Sequence, residues 1–354
     1  MRLKAKQKKL IISLILVIIS IILIVFPKKA AFGAYIGIVN CLEIIIPSLF
    51  PFMVVTIFLT ESGYHERIFS IPSALLSKIT GIDRQFCSLF FIGMIGGYQS
   101  AAKSISLLCK KNALSPENAS ILLCFCTNAG PAFLISAVGS AMFLSSSIGA
   151  ILFISSVLSS FTLMLFYASR LISTNVSTVP KGNKKISVCF VDSVKESCKT
   201  TSVMCAFIVL FSVVIYLIPD FPSNLQPLKC FIFGLLEVTS GVAAASVKIS
   251  LASVLTVSAI CGFGGLCIIF QIIAICSDAK IRIFPFIISR ILHALLSAFY
   301  TFLLLLTIPI EVKQTFISNS ASALPSIISA PLPDLMLLIC CATFPIYLTR
   351  QKNL

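Results

Sequence analysis

The sequence predicts an all-α polytopic membrane protein, with about eight transmembrane helices plus two re-entrant helical hairpins in two inverted repeats. Three observations support this prediction: an apolar composition, apolar runs of membrane-spanning length, and interrupted apolar segments that recur in one order. Of the 354 residues, 58% are hydrophobic and 11% are charged, and the mean hydropathy is +1.06. A soluble domain of this length needs more charge to cover its surface.

Long apolar runs include 10–26, 141–168 and 283–308. Each reaches the roughly 17–25 residues that cross about 30 Å of hydrocarbon. The runs are continuous rather than alternating, which argues against a β-barrel. The first run follows a basic start and has no small-residue cleavage site after it. Residues 1–29 are therefore predicted to form a cytoplasmic N-terminus and an uncleaved anchor span.

The net charge of +15 arises from 27 Lys and Arg against 12 Asp and Glu. The basic residues form short clusters beside the apolar runs, as the positive-inside rule predicts, so the charge indicates topology and argues against nucleic acid as a partner. The 14 cysteines lie mostly inside apolar spans, where Cys acts as a small hydrophobe, and they lack the spacing of a metal site. No metal or other cofactor is predicted.

The first predicted repeat covers residues 30–169. Its segment 30–46 stops at Pro47 and either crosses the membrane or lies in its interface. In both cases the protein contacts membrane lipid. Residues 48–62 then form a span, and a clean span from about 145 to 169 closes the unit. Between them, two apolar segments are interrupted by residues that break helices. The interrupting residues are Gly96, Gly97, Gly130 and Pro131.

The same order recurs after a basic cytoplasmic loop at 170–199. The second predicted repeat, 200–308, contains a span, two interrupted segments and a closing span. Its interrupting residues are Gly241, Gly264 and Gly265. Residues 93–102, GMIGGYQSAA, align weakly with residues 234–243, GLLEVTSGVA. Residues 309–354 are predicted to form an external loop and a last span.

The basic clusters also bear on the relation between the two halves. If residues 30–46 are interfacial and each glycine-broken hairpin returns to its own side, the repeats are inverted. If residues 30–46 cross the membrane, the halves become parallel. The charge distribution favours inversion, in a multi-pass protein of the cell membrane whose N- and C-termini are cytoplasmic.

Glu237 lies within an interruption of the second half. A carboxylate near the bilayer centre costs roughly 2–3 kcal/mol or more, so a lipid-facing position is not expected. One interpretation is an ion pair with Arg290 or His293, which lie three residues apart on one helix face. The other is that Glu237 binds a substrate hydroxyl or carries a coupling ion. Its place in the interruption itself favours the second interpretation.

Interrupted backbone at membrane depth leaves amide and carbonyl groups unpaired, and it persists where it lines a wet cavity. Matching interruptions in two inverted halves point to the midplane site of a transporter. Polar residues beside them are therefore predicted to bind a small polar solute or a coupling H⁺ or Na⁺. These residues are Tyr98, Gln99, Thr127, Asn128, Thr239, Ser240 and Gln271. The four interruptions are expected to converge on one cavity.

Three stretches resemble the YlbJ-type sporulation integral membrane proteins, which are grouped with the nucleoside-recognition Gate domain. The stretches are CFCTNAGPAF at 124–133, LEVTSG at 236–241 and GFGGLCIIFQ at 262–271. A fourth, GYQSAAK at 97–103, has Gln99 and Ala101 where the family has Pro and Gly. The resemblance covers roughly residues 40–300. It implies a transporter-like membrane protein of a spore-former, with a nucleoside-like solute.

The sequence therefore predicts a membrane transporter or permease, acting in sporulation, with an alternating-access site at the broken helices. The alternative is a non-transporting scaffold that gathers sporulation proteins in a membrane. A transporter needs a polar cavity around Glu237 and Asn128, whereas a scaffold can fill that space with apolar side chains. An enzyme is not predicted, because the chain lacks G-x-S-x-G, H-E-x-x-H and a pair of intramembrane Asp residues.

Overall fold

The structure is a computed structural model. It describes residues 13–14, 17–171, 185–219, 221–222 and 225–307. These residues form helices joined by short connections, and no strand occurs among them. The predicted last span lies outside the described residues, as do most of the basic N-terminus and residues 172–184.

Five helices in the described part of the chain are long and apolar enough to cross a membrane. They are Pro27–Glu61, Ser146–Ala168, Ile186–Leu217, Leu251–Ala279 and Phe284–Thr307. The predicted class, an apolar α-helical protein of the membrane type, is confirmed at this level. The total of eight spans and the inversion of the two halves stay predictions.

The first of these helices corrects the prediction that a segment stops at Pro47. Helix α1 (Pro27–Asn40) continues through a wide turn, Cys41–Ile45, into helix α2 (Ile46–Glu61). In the wide turn the amide of Ile46 donates to the carbonyl of Cys41, five residues earlier. A proline normally breaks a helix by clashing with the carbonyl one turn before it. A π-type turn directly before the proline relieves that clash, so the helix continues.

Two short helices, α3 (Tyr64–Ile68) and α4 (Ser70–Thr80), lead into α5 (Arg84–Lys110). Helix α5 folds back on itself at Gly97, which has a φ of 80°. A methyl group on Gly93 would lie 3.2 Å from the Cβ of Ala101. In a straight helix these positions are about 12 Å apart. Helix α5 is therefore a helical hairpin with its tip at Gly97.

Helix α6 (Pro116–Cys126) ends in an extended break at residues 127–130. After the break, the chain forms a wide helix, Ala132–Met142, and then the regular helix α7 (Ser146–Ala168). The break packs on the hairpin tip, since a methyl group on Gly130 would lie 3.3 Å from the amide nitrogen of Gly97.

Helix α8 (Ile186–Leu217) begins inside the predicted loop 170–199. Residues 186–199 are thus helical, and the connection is shorter than predicted. Cys189, Ser193 and Ser197 recur every four residues and are buried, and α2 packs against α8. Small residues at this spacing let one face of the helix pack closely against a neighbour. The charged residues on the other face are the reason why the sequence predicted a loop here.

The second half contains another hairpin. Helices α9 (Gln226–Leu236) and α10 (Val238–Ala245) fold together at Glu237, so that a methyl group on Gly241 would lie 2.3 Å from the Cα of Gly234. In a straight helix, seven residues span about 10 Å. The reversal therefore lies at Glu237, where the backbone is extended.

Helices α11 (Leu251–Phe263) and α12 (Gly265–Cys276) are separated by a break at Gly264, and α13 (Phe284–Thr307) follows. Gly264 and Gly265 have φ values of 86° and 80°, a region that favours glycine. A methyl group on Gly265 would lie 3.3 Å from the Cα of Glu237. In both halves, a second break thus packs directly on the tip of a hairpin.

Candidate functional site

The hairpin tips and the break at 127–130 line one cavity. From the first half, it is lined by Gly97, Tyr98, Gln99, Ala129, Gly130 and Phe133. From the second half, it is lined by Glu237, Val238, Thr239, Cys267, Ile268 and Gln271. Ile45 and Leu49, and Met204 and Ile208 of α8, complete the wall. The cavity has a volume of about 40 Å³, which is room for roughly three water molecules.

Glu237 is the acidic group of this cavity, and it is 2% exposed. Its two carboxylate oxygens accept from the backbone amides of Thr239 (2.8 Å) and Ser240 (2.7 Å), so the side chain caps the N-terminus of α10. Charge-assisted bonds and the positive end of the helix stabilise the ionised carboxylate. A carboxylate accepts about four hydrogen bonds, so Glu237 keeps accepting capacity toward the cavity.

A pair of amides crosses the cavity wall beside Glu237. The Nε2 of Gln99, at the first hairpin tip, donates to the Oε1 of Gln271 on α12 over 2.7 Å. The Nε2 of Gln271 lies 3.2 Å from the Sγ of Cys267. The two predicted glutamines are therefore bonded to each other, and their bond joins the first hairpin to α12.

Tyr98 ties the same tip to the second half of the chain. Its hydroxyl donates to the carbonyl oxygen of Cys261, at the end of α11. Thr239 lines the cavity next to Glu237, whereas Ser240 contributes its backbone amide to the cap and does not line the cavity. The structure thus brings together Tyr98, Gln99, Glu237, Thr239 and Gln271.

Two predicted residues of the break, Thr127 and Asn128, take part in a different network. The Oδ1 of Asn128 accepts from the hydroxyl of Ser160 on α7, and that hydroxyl lies 2.9 Å from the Nε2 of His293. The Ser160 hydroxyl has one proton and gives it to Asn128, so the Nε2 of His293 is the donor in the second bond. The Asn128 side chain therefore bonds α7 rather than lining the cavity.

Arg290 on α13 holds the end of α6. Its guanidinium donates to the carbonyl of Thr127 over 2.6 Å and to that of Cys124 over 2.8 Å, and it lies over the ring of Phe286. The carbonyl end of a helix carries partial negative charge, which stabilises a cation there. The alternative interpretation, a pairing of Glu237 with Arg290 or His293, does not appear among the ion pairs of the described residues. Both charges bond backbone groups at helix ends instead.

Four of the predicted interrupting residues lie at observed breaks: Gly97, Gly130, Gly264 and Gly265. The break at Gly264 and Gly265 packs on Glu237 but does not line the cavity, so the expectation that all four interruptions line it was wrong for this break. Gly97, Gly264 and Gly265 have positive φ values, and Gly130 packs on the first tip. Gly96 is pressed against Ser100 inside the fold of α5, and Gly241 against Gly234 inside the second hairpin. Pro131 precedes the wide helix Ala132–Met142.

Sequence reasoning missed the apolar part of the wall and one buried charge pair. Met204 and Ile208 line the cavity from a regular stretch of α8, where the sequence has no polar residue to mark them. Lys103 is buried and paired with Glu196 of α8. The pair was not predicted, because Glu196 fell within the assumed loop.

No family model, curated protein or solved structure matches the chain. The resemblance to YlbJ-type proteins therefore stays a prediction.

Proposed function

We propose that this protein is a secondary transporter or permease that moves a small polar solute by alternating access through the cavity at Glu237. One observation carries the proposal. A buried carboxylate with no cation partner among the described residues lies at a helix break, where two hairpin tips meet over a cavity. A carboxylate so placed is expensive unless it binds something, and capping its own helix uses only part of its accepting capacity.

The solute or ion bound at Glu237 is a hydrogen-bond donor or a cation. The amide pair Gln99–Gln271 and the hydroxyl of Thr239 supply further polar contacts at the same wall. A cavity of about 40 Å³, with room for roughly three water molecules, accommodates a coupling H⁺ or Na⁺ in the present closed arrangement. A solute such as a nucleoside enters only when the cavity widens, because small-molecule sites occupy roughly 300–1,000 Å³.

The inverted arrangement of two repeats belongs to the same proposal. The repeat is supported by the recurrence of one local packing, in which a second break packs on a hairpin tip, at Gly130 on Gly97 and at Gly265 on Glu237. The inversion is supported by the distribution of basic residues along the sequence. Inverted repeats commonly place paired broken helices at the midplane site. The role in sporulation and the nucleoside-like solute are what the resemblance implies.

The proposal is tested with purified protein in liposomes, screened for binding and uptake of labelled nucleosides and amino acids under H⁺ and Na⁺ gradients. If Glu237 carries the coupling ion, Glu237→Gln abolishes gradient-driven accumulation and spares solute exchange. The matched control is Glu66→Gln, a carboxylate change on the short helix α3 away from the cavity. Full coupled transport by the Glu237→Gln protein would rule out the ion-carrying role.

The second candidate function is a non-transporting scaffold in a sporulation membrane. It is favoured by the small volume of the cavity and by its mostly apolar neighbours, such as Phe133, Met204 and Ile268. A protein that binds and moves none of the screened solutes, yet folds stably with Glu237→Ala, would make the scaffold the better proposal.

A further inference from the structure

Lys103 and Lys110, in the second half of α5, and Lys111, directly after it, each form an ion pair. Lys110 bonds Asp278 over 2.9 Å and Lys111 bonds Glu61 over 2.7 Å, and both pairs lie near the end of the helix. The third pair, Lys103 with Glu196 of α8, lies about two turns earlier along α5; the Lys103 side chain is 10% exposed and that of Glu196 is 36% exposed. One partner is therefore close to solvent and the other is inside.

The Lys103–Glu196 pair lies between the cavity and this end of the molecule. Lys103 follows Gln99 of the cavity wall by one helical turn, about 6 Å along α5. Glu196 precedes Met204 of the opposite wall by two turns, about 12 Å along α8. Both helices thus line the cavity. One to two turns closer to the surface, Lys103 of α5 forms an ion pair with Glu196 of α8.

The surfaces beside this pair are polar although they are buried. Ser197, Thr200 and Thr201 of α8 are buried at helical spacing. On α5, the hydroxyl of Ser100 is buried and has no hydrogen-bond partner within the described part of the chain. Ser100 lies between Gln99 and Lys103 in the sequence, and its hydroxyl lies beside Gly96, since a methyl group on Gly96 would lie 2.7 Å from it. Buried hydroxyls without partners are rare and are commonly satisfied by water.

We propose that the Lys103–Glu196 ion pair closes a polar passage between α5 and α8 that leads to the cavity of Glu237. Separation of the pair opens the cavity to water from this end. The passage rests on the proposed use of the cavity as a solute site, and it adds the element that gates access. A long-side-chain pair suits this role, because it can break with small backbone movement and costs little when its carboxylate is near solvent.

The test measures access and needs no known solute. Cys267 lines the cavity and is 1% exposed. In the full-length protein in liposomes, its modification by a small charged methanethiosulfonate, which forms a mixed disulfide with the thiol and releases methanesulfinate, is followed by mass spectrometry at each cysteine. Glu196→Gln is expected to speed modification of Cys267 by roughly tenfold, because reaction follows the population of the open form.

Three comparisons keep the result specific. The charge reversal Lys103→Glu with Glu196→Lys should restore the slow rate, and Lys110→Gln, which breaks an exposed pair of the same helix, should leave it unchanged. Cys126, buried and outside the cavity wall, is the internal reference. An unchanged Cys267 rate in Glu196→Gln, an equal rise at Cys126, or no restoration by the reversal would overturn the proposal. Because access is read directly, the passage can hold even if transport assays of Glu237 variants fail.

Discussion

Glu237 and Arg290 are both buried charges that bond backbone groups at helix ends and do not bond each other. Glu237 accepts from amides at the start of α10, and Arg290 donates to carbonyls at the end of α6. Each charge is stabilised by the partial charge of the helix terminus that it caps. The two termini belong to interruptions, so the same residues that stabilise the charges also hold the breaks in place.

This arrangement predicts that Arg290→Gln destabilises the protein by roughly 2 kcal/mol, since two buried carbonyls lose a charged donor. The loss is read as a lower melting temperature in detergent. Combining it with Glu237→Gln should give an additive result, because the two residues share no bond. A double variant that recovers the stability of the unmodified protein would mean that the two charges are paired after all.

His65 gives the molecule a pH-dependent contribution outside the candidate spans. It is buried beside the end of α2, with Nδ1 3.1 Å from the carbonyl of Leu59, and burial lowers its pKa below the ordinary value of 6.5. His65 therefore binds a proton more readily in the unfolded chain than in the folded protein. As a result, the free energy of unfolding should fall as the pH drops through about 6.5.

The matching variant is His65→Asn, whose amide can still donate to Leu59 and does not titrate. From about pH 7.5 to about pH 5.5, the melting temperature of the unmodified protein should fall further than that of the His65→Asn protein. An equal fall in both proteins would exclude a contribution from His65.

At the scale of the elements, hairpins depend on glycines that allow backbones to touch. A methyl group on Gly93 would lie 1.8 Å from the carbonyl oxygen of Cys126, whereas one on Gly81 would have no neighbour within 4 Å. Both glycines end or occupy helical segments, yet only Gly93 lies against another backbone. The close packing of α5 on α6 therefore leaves no room for a side chain at Gly93, whereas there is room for one at Gly81.

Gly93→Ala is expected to separate α5 from α6 and to lower the yield of folded protein severely, because backbone atoms cannot move aside as a side chain can. Gly81→Ala is the control and should cost only about 1 kcal/mol, the strain of its positive φ. Monodispersity in detergent and melting temperature measure both. Equal tolerance of the two changes would contradict the close approach of α5 and α6.

The breaks could be predicted from the sequence because glycine and proline act locally. Gly97, Gly130 and Gly264 interrupt apolar runs, and no distant contact is needed to recognise that. The continuation of the helix past Pro47 could not be predicted, since it depends on a wide turn that a propensity argument does not contain. The start of α8 was missed for a similar reason, because the buried small residues of 186–199 are recognised only once α2 is in place.

The residues of the candidate site could be predicted from the sequence better than the hydrogen bonds that they form. Glu237, Gln99 and Gln271 are polar residues in apolar surroundings, and that contrast identifies them in the sequence. Their partners depend on the tertiary fold or on an uncommon local cap. Glutamate is less typical of an N-cap than Asp, Asn or Ser, so the sequence did not predict that Glu237 accepts from the amides of Thr239 and Ser240.

At the scale of the whole molecule, the ion pairs gather residues that the sequence assigned to one side of the membrane. Lys110 and Lys111 contact Asp278 and Glu61, which brings the ends of α5, α12 and α2 together. In the inverted arrangement, the positive-inside rule places Lys110, Lys111 and the residues around 280 on the cytoplasmic side and the loop at 219–227 outside, so this grouping agrees with it. Single cysteines at residue 110 and at residue 225 should then react with an impermeant maleimide from opposite sides of the membrane. Reaction from the same side would contradict the inverted arrangement.

The central claim is that the cavity at Glu237 is an alternating-access site, and labelling of Thr239→Cys tests it most directly. Thr239 lines the cavity next to Glu237. Ser258→Cys is the control, because Ser258 is buried but bonds Ser297 and Thr301 away from the cavity wall. We predict that an impermeant thiol reagent modifies the Thr239→Cys protein slowly from either side of the membrane and leaves the Ser258→Cys protein unmodified at that position. Modification of Thr239→Cys from neither side, or from one side alone, would contradict alternating access and favour the scaffold.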